Sequence, residues 1–505
     1  MIILAEDLMN VKNKRLQRRE FLKKVAQTST GMAGLPLVLA LGNSGCSILD
    51  RYFEIEKYKY DQEVLIFGAG LAGLSTAFYL KKDKIPYRLF EASQRTGGRI
   101  LTQHTNQEKI FSDIGAFEFD EFDSLVLELI KDLKLEVDED SQFETLFKND
   151  FTFFYKQKFI TFKQILLAEH PHFQRWNKEL TRLKKDQDTE NTNSWLTDSL
   201  VYEYTQISLL DLFKDAKLQE INRQLLLNWA EFSLQKKAKD ISYLEWLLLL
   251  DNETLSNKKI RIKFGMEELI THLSQRVSGV IPNYNLQLPA KLVSISREND
   301  VWKCGVSTSD GLKTYFSPYV VLAIPFLQLK KIKGLETILV NNEYKEVIQQ
   351  ATAKKSVVAM GNIKPSFYKK NSHIKDLLIV DERVCRVRVI ANKMRVHFNG
   401  MEEFEWFLKN KSNALNNSLL DGTFESSFDW GQVRYIEGAE LSLTSKQIVD
   451  LKSAFEANWQ ESSLQFAGDY IVNPFKSKIN DVLLSSHQAV ENLKWQIKKN
   501  MKDNV

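Results

Sequence analysis

Three observations predict an α/β fold. Residues 63–67 (EVLIF) are a short apolar run of strand formers, followed at once by Gly68, Gly70 and Gly73 and then by a helical stretch over 75–82. A second apolar run, 87–90, ends in Glu91. A third, 464–467, comes late in the chain and leads into Gly468, Asp469, a loop and a helical stretch over 480–493. Strand, glycine turn, helix, strand and acid in that order are the parts of a parallel sheet that binds a dinucleotide.

Each part has its own reason. Gly68 permits the tight turn, Gly70 lets a pyrophosphate approach the backbone, and Gly73 lets the helix pack closely on the strand. The N–H groups at the helix start, at Leu71 and Ala72, are free to hold phosphate charge with the helix dipole behind them. Glu91, next to Ala92, stands where a carboxylate accepts both ribose hydroxyls. It would repel a 2′-phosphate, so the site suits FAD or NAD and not NADP. Gly97 and Gly98 then let the chain pass close to the cofactor, and Arg99 can hold its diphosphate or the flavin edge. Near the C-terminus Asp469, after Gly468, can bind a ribityl chain, and the helix start around Val482 can face the electron-rich edge of the flavin. The expected fold is therefore a Rossmann-like FAD-binding domain assembled from discontinuous segments, with an α+β substrate domain between them.

Composition narrows the class. Of 505 residues, 43% are hydrophobic and 27% charged, which excludes a disordered or fibrous chain. The 69 Lys and Arg nearly cancel the 65 Asp and Glu, so nothing favours nucleic acid as a partner. Three cysteines cannot build a disulfide framework, and Cys304 and Cys385 read as buried small hydrophobes. The closest histidine spacing is His170 and His172, with no Cys or Glu pattern beside it, so no metal is expected.

The first segment reads as an address. Residues 9–24 are basic, 25–49 carry no charge, and small residues precede Cys46. Gln27, Thr28, Gly31, Gly34 and Pro36 dilute the apolar part, which favours a cleaved leader over a permanent span. Arg18 and Arg19 with Phe21, Leu22 and Lys23 resemble a twin-arginine export signal, and Ser44, Gly45 and Cys46 resemble the end of a lipoprotein box, from which Asn43 departs. An uncleaved anchor or a plain basic helix is the competing reading. Export implies the export machinery as a partner, with the mature protein periplasmic or held to the membrane through a lipidated Cys46.

The motifs around 64–80, 88–100 and 464–490 resemble the flavin-containing amine oxidase superfamily. Looser matches lie between them: Asp113 to Ala116, Gly265 with Phe264 where the family has a first glycine, the 288–326 strands, Asp429 and Trp430, and Gly438 to Glu440. The resemblance implies a glutathione-reductase-type FAD domain with Val293 as a backbone contact to adenine. It implies a lysine that holds a water at flavin N5, here Lys354 or Lys355; a solvated charge pair explains both equally well. An aromatic is usual where Glu440 stands beside the flavin. No cysteine stands near 438 for a covalent link, so the FAD is expected to be non-covalent.

These matches divide the chain into a leader (1–46), FAD-binding segments at 60–119, 261–330 and 456–500, a helical substrate segment at 120–260 and a sheet segment at 331–455. Glu118, Asp120, Glu121 and Asp123 read either as an attractor for a cationic amine or as a solvated helix start. The segment after Asp113 carries no arginine, which argues against an L-amino-acid oxidase. The first expected function is an FAD-dependent amine oxidase or dehydrogenase, moving hydride from an amine α-carbon to flavin N5, with oxygen or a respiratory carrier as acceptor. A flavin-dependent desaturase or isomerase acting on an apolar isoprenoid or lipid is the second, and a non-catalytic lipoprotein that keeps the fold is the third.

Overall fold

The computed structural model describes residues 63–104, 111–137, 151–185, 199–254, 259–279, 284–298, 300–339, 342–390, 393–410, 419–447, 450–451, 462–472 and 478–503. The leader, Cys46 and residues 186–194, whose polar composition (DQDTENTNS) reads as a loop, lie outside the described residues.

Five strands from distant parts of the chain form one parallel sheet, in the order Leu464–Phe466, Tyr319–Leu322, Val64–Phe67, Tyr87–Phe90 and Leu286–Gln287. Parallel strands covered on both sides carry unbroken apolar runs, and all four residues of Val64–Phe67 are buried. Val64 and Ile66 face a helical layer that includes Leu71–Lys82, Glu267–Val277 and Ile479–Asp503. Leu65 and Phe67 face an antiparallel layer of Ala290–Glu298, Val301–Thr308 and Gly311–Ser317.

The second sheet has seven strands, in the order Leu420–Asp429, Val357–Ile363, Lys393–Phe398, Val384–Ile390, Asp376–Val380, Phe151–Tyr155 and Lys158–Thr161. One face packs against helices that include His170–Lys185, Glu220–Leu234 and Tyr243–Thr254, around Trp176, Trp229 and Trp246. The other face packs against Pro365–Asn371 and Met401–Asn410, around Phe398 and Phe407.

The 120–260 segment is thus not helical throughout, because it contributes the hairpin of Phe151–Tyr155 and Lys158–Thr161. That hairpin turns through Lys156 and Gln157, both at positive φ. A turn of this type usually carries Asn or Gly, so its usual signal is missing from the sequence. Among the described residues no helix is long and apolar enough to cross a membrane.

Candidate functional site

One cavity of about 650 Å³ runs along the C-terminal ends of the parallel strands and into the space between the seven-stranded sheet and its helices. Gly68, Gly70, Leu71 and Ala72 line it, with Glu91, Ala92, Gly97, Gly98 and Arg99. Gly468, Asp469 and Val482 arrive from the far end of the chain, and Lys354, Lys355 and Glu440 from the second sheet and its border. Gly73 stays outside the lining. A Cβ there would lie 1.8 Å from the Gly68 carbonyl oxygen, so its part is close packing.

Val293 is also outside the lining. It sits at a bulge in its strand, and its carbonyl accepts from the Lys333 N–H at 3.0 Å. Ala290, Lys291 and Leu292 face the cavity in its place.

The glycine turn leaves a helix N-terminus pointing into the cavity. Gly70 precedes Leu71–Lys82, and no side chain caps the helix start. Gly97 (φ 101°) and Gly98 (φ 57°) occupy left-handed conformations that suit glycine. A Cβ on Gly70 would meet nothing closer than 3.8 Å, so the space in front of it is open. The Glu91 oxygens accept from the backbone N–H groups of Ala69 (2.7 Å) and Ser93 (2.8 Å), which orients the carboxylate and leaves further lone pairs for two hydroxyls.

The early and late motifs touch. Arg99 Nη2 lies 2.7 Å from Asp469 Oδ1, and its Nη1 donates to the Ala439 carbonyl at 2.6 Å. Burial opposes the Arg99 charge, but Asp469 overrides it and raises the guanidinium above its ordinary value. These groups fit an FAD: open donors for the diphosphate, an acid for the ribose, and a late acid beside an arginine near the start of Ile479–Asp503.

Lys354 and Glu440 are register partners in a two-stranded ladder, and Lys354 Nζ lies 3.0 Å from Glu440 Oε2 and 3.2 Å from the Ser233 carbonyl oxygen. Lys355 is exposed, and its backbone N–H donates to Gln235. The two lysines are therefore not equivalent. Three of the acids near 120 are engaged within the protein: Asp120 receives Lys259 and Lys478, Glu118 lies 3.6 Å from Arg388, and Asp123 accepts from the Asp120 N–H.

Sequence reasoning missed a basic group in the same cavity. Arg386, Arg388, Arg395 and His397 line it from Val384–Ile390 and Lys393–Phe398. The available signal was alternation: Cys385, Val387, Met394 and Val396 face the core, and the basic residues occupy the positions between. His397 Nε2 lies 2.8 Å from Ser356 Oγ. Burial and then the charge of Arg395 push the imidazole down to about 3, so it is neutral at ordinary pH. Among the described residues no group of three or more His, Cys, Asp or Glu is arranged to hold a metal ion.

Comparison with known proteins agrees with this geometry. The solved structure of a putrescine oxidase bound to putrescine superposes with a TM-score of 0.67 at 14% identity, covering 86% of this chain and 99% of that one. The cyclohexylamine oxidase of Brevibacterium oxydans gives 0.68 at 14% identity, covering 87% and 100%. Among curated proteins, an L-amino acid oxidase of Cerastes cerastes is 38% identical over 81 residues and one of Naja atra 36% over 78 residues. These stretches span only 16% and 15% of the relatives' lengths and the same shares of this chain. The profile described as "Flavin containing amine oxidoreductase" matches residues 71–372. The chain belongs to the flavin-containing amine oxidoreductase family.

Proposed function

We propose that the protein is an FAD-dependent amine oxidase or dehydrogenase with non-covalently held FAD. One observation carries the reading. The glycine turn and the Asp469 turn, joined by the Arg99–Asp469 pair, line a cavity that continues into the space between the second sheet and its helices. FAD, when bound, supplies the electron acceptor for oxidation of an amine α-carbon. The chain's own residues bind and orient. The bare start of Leu71–Lys82 and the glycines at 97 and 98 hold the diphosphate, Glu91 holds the ribose, and Asp469 with Val482 holds the flavin end.

Lys354, anchored by Glu440 and the Ser233 carbonyl, presents a cation that can hold a water in the cavity. A cation there also disfavours an ammonium and so favours the neutral, oxidisable amine. Phe117, Phe151, Phe232, Leu248 and Trp430 complete a wall that excludes water.

The charged lining of Lys354, Arg386, Arg388 and Arg395 disfavours the alternative of a wholly apolar isoprenoid or lipid, whose burial against such groups costs their solvation. The basic and apolar leader supports export through the twin-arginine route with FAD already loaded, to a periplasmic site or a lipid anchor at Cys46, with oxygen or a respiratory carrier as final acceptor.

The test is anaerobic titration of the purified yellow protein with mono-, di- and polyamines and amino acids, read at visible wavelengths. Bleaching of the flavin by an amine is the expected result. A protein that takes up no FAD, or a flavin reduced only by apolar compounds without nitrogen, refutes the reading.

A further inference from the structure

We propose that Arg395, with Arg388 behind it, is a binding site for a carboxylate carried by the substrate, so that the amine oxidised is an amino acid. This rests on the amine-oxidising reading above and names its substrate class.

The argument begins with a charge imbalance. Val384–Ile390 and Lys393–Phe398 pair antiparallel with Arg388 opposite Arg395 and Arg386 opposite His397, so all four point to one face. That face lines the cavity. Arg386 is held by Asp376 through two contacts, at 3.0 and 2.7 Å. Arg388 lies 3.2 Å from Asp376 and 3.6 Å from Glu118. Both nearby acids are thereby engaged, and His397 is neutral.

Arg395 has no carboxylate within ion-pair distance among the described residues. Its Nε donates to the Asp113 carbonyl and its Nη2 to the Gly115 carbonyl, each at 3.3 Å, and its Cζ lies over the Phe117 ring, 4.4 Å from the centroid. The Asp113 carboxylate is turned away, accepting from Thr102 Oγ1 and the Met266 N–H. No described group accepts from Nη1. Burial and then the Arg388 charge pull Arg395 down to about 10, so it remains a cation at neutral pH.

A guanidinium deep in a protein, short of an anion and bordering an open cavity, is a receptor for one. It retains accessible surface because it faces that cavity. Its planar fork matches a carboxylate, and the ring of Phe117 packs against the guanidinium.

The location favours a substrate group over a stray ion. The Gly115 carbonyl that holds Arg395 adjoins Ala116, whose N–H donates to the Arg99 carbonyl, and Arg99 pairs with Asp469. Arg395 is therefore tied directly to the segment that closes the cofactor end of the cavity.

The test uses the purified flavoprotein and two readouts. Benzoate and its uncharged isostere benzamide are titrated while the visible flavin spectrum is followed. Benzoate should perturb the spectrum at concentrations about 10-fold or more below benzamide, and Arg395→Met should weaken benzoate by about 10- to 100-fold while leaving benzamide unchanged. Arg395→Lys, which keeps the charge without the fork, should recover part of the difference. Second, leucine and phenylalanine are compared with isoamylamine and phenylethylamine as anaerobic reductants, and the amino acids should bleach the flavin at lower concentration. Equal binding of benzoate and benzamide to the unaltered protein overturns the proposal, and needs no variant to fold. So does bleaching by the carboxylate-free amines as readily as by the amino acids. Failure of the parent reading looks different: benzoate is still preferred over benzamide, but no amine of either kind bleaches the flavin.

Discussion

Gly70 and Gly73 stand three residues apart in one motif, yet replacing each by alanine should have opposite effects. A Cβ at Gly73 falls 1.8 Å from the Gly68 carbonyl oxygen and 3.3 Å from the Ala323 Cβ. Ordinary contact begins at about 3.5 Å, so Leu71–Lys82 would have to retreat by roughly 1.7 Å from the strand it packs on. Overpacking of that kind costs about 1–3 kcal/mol or more. At Gly70 the nearest atom is Gly98 Cα at 3.8 Å, and the backbone is at φ −72° and ψ −175°, which alanine adopts freely. Gly70→Ala should therefore leave the cofactor-free protein as stable as before, or firmer by about 0.4–1 kcal/mol through a less flexible unfolded chain. The methyl instead occupies space that a diphosphate needs. Loss of one charge-assisted N–H bond, about 1.5–3 kcal/mol, corresponds to roughly 10- to 150-fold weaker FAD binding. Urea unfolding of the cofactor-free proteins and FAD titration by fluorescence separate the two effects. An FAD affinity unchanged in Gly70→Ala, or a stability loss equal to that of Gly73→Ala, would refute the assignment of one glycine to the ligand and the other to packing.

Acid lability should trace partly to His397. Its folded value near 3 lies below the ordinary 6.5, so between those values only the unfolded chain binds the proton, and stability is lost as pH falls through that window. At pH 5 the loss is about 2 kcal/mol relative to neutral pH, and His397→Gln should flatten the pH dependence of urea unfolding by that amount. Lys354→Met should slow flavin reduction by substrate at least about 10-fold while Lys355→Met changes it little, since only the first is anchored by Glu440; equal effects in stopped-flow reduction count against Lys354. Burial pushes the Cys304 thiol up to about 12 and Cys385 well above its ordinary value, so neither should react with an aromatic disulfide until urea unfolds the protein. Prompt native labelling of a thiol that Cys304→Ala or Cys385→Ala removes would contradict this burial. Phe264 holds a left-handed backbone (φ 68°) and is about half exposed, so Phe264→Gly should add about 1 kcal/mol in the same unfolding assay.

What could be read from the sequence was what short-range backbone geometry dictates. The turn at 68–73 announces itself because glycines are demanded within a few residues, and Glu91 and the strand before Gly468 follow by simple spacing and burial. The hairpin through Lys156 and Gln157 was hidden because ordinary residues take its left-handed positions. A bulge at Val293 breaks the register of its strand, and Ala290, Lys291 and Leu292 line the cavity before it; no local pattern announces such a bulge. What sets Lys354 apart from Lys355 is the ladder partner Glu440, 86 residues away, and no local pattern contains it.

The basic group in the cavity shows a different limit. Residues 384–390 (VCRVRVI) alternate as plainly as any strand, and the apolar set does pack in the core. Alternation assigns the other set to the opposite face but says nothing about what covers that face. Had water covered it, Arg386, Arg388 and Arg395 would be an unremarkable solvated edge. Here Glu220–Leu234 and its neighbours pack on that side of the sheet, and the arginines lie between the two layers. Enclosure converts surface charges into costly ones that must be answered, two by Asp376 and Glu118 and the third by whatever enters the cavity. The same two alternating strands thus encode a solvated edge or a receptor, and the covering helices, drawn from a part of the chain more than a hundred residues earlier, decide between them.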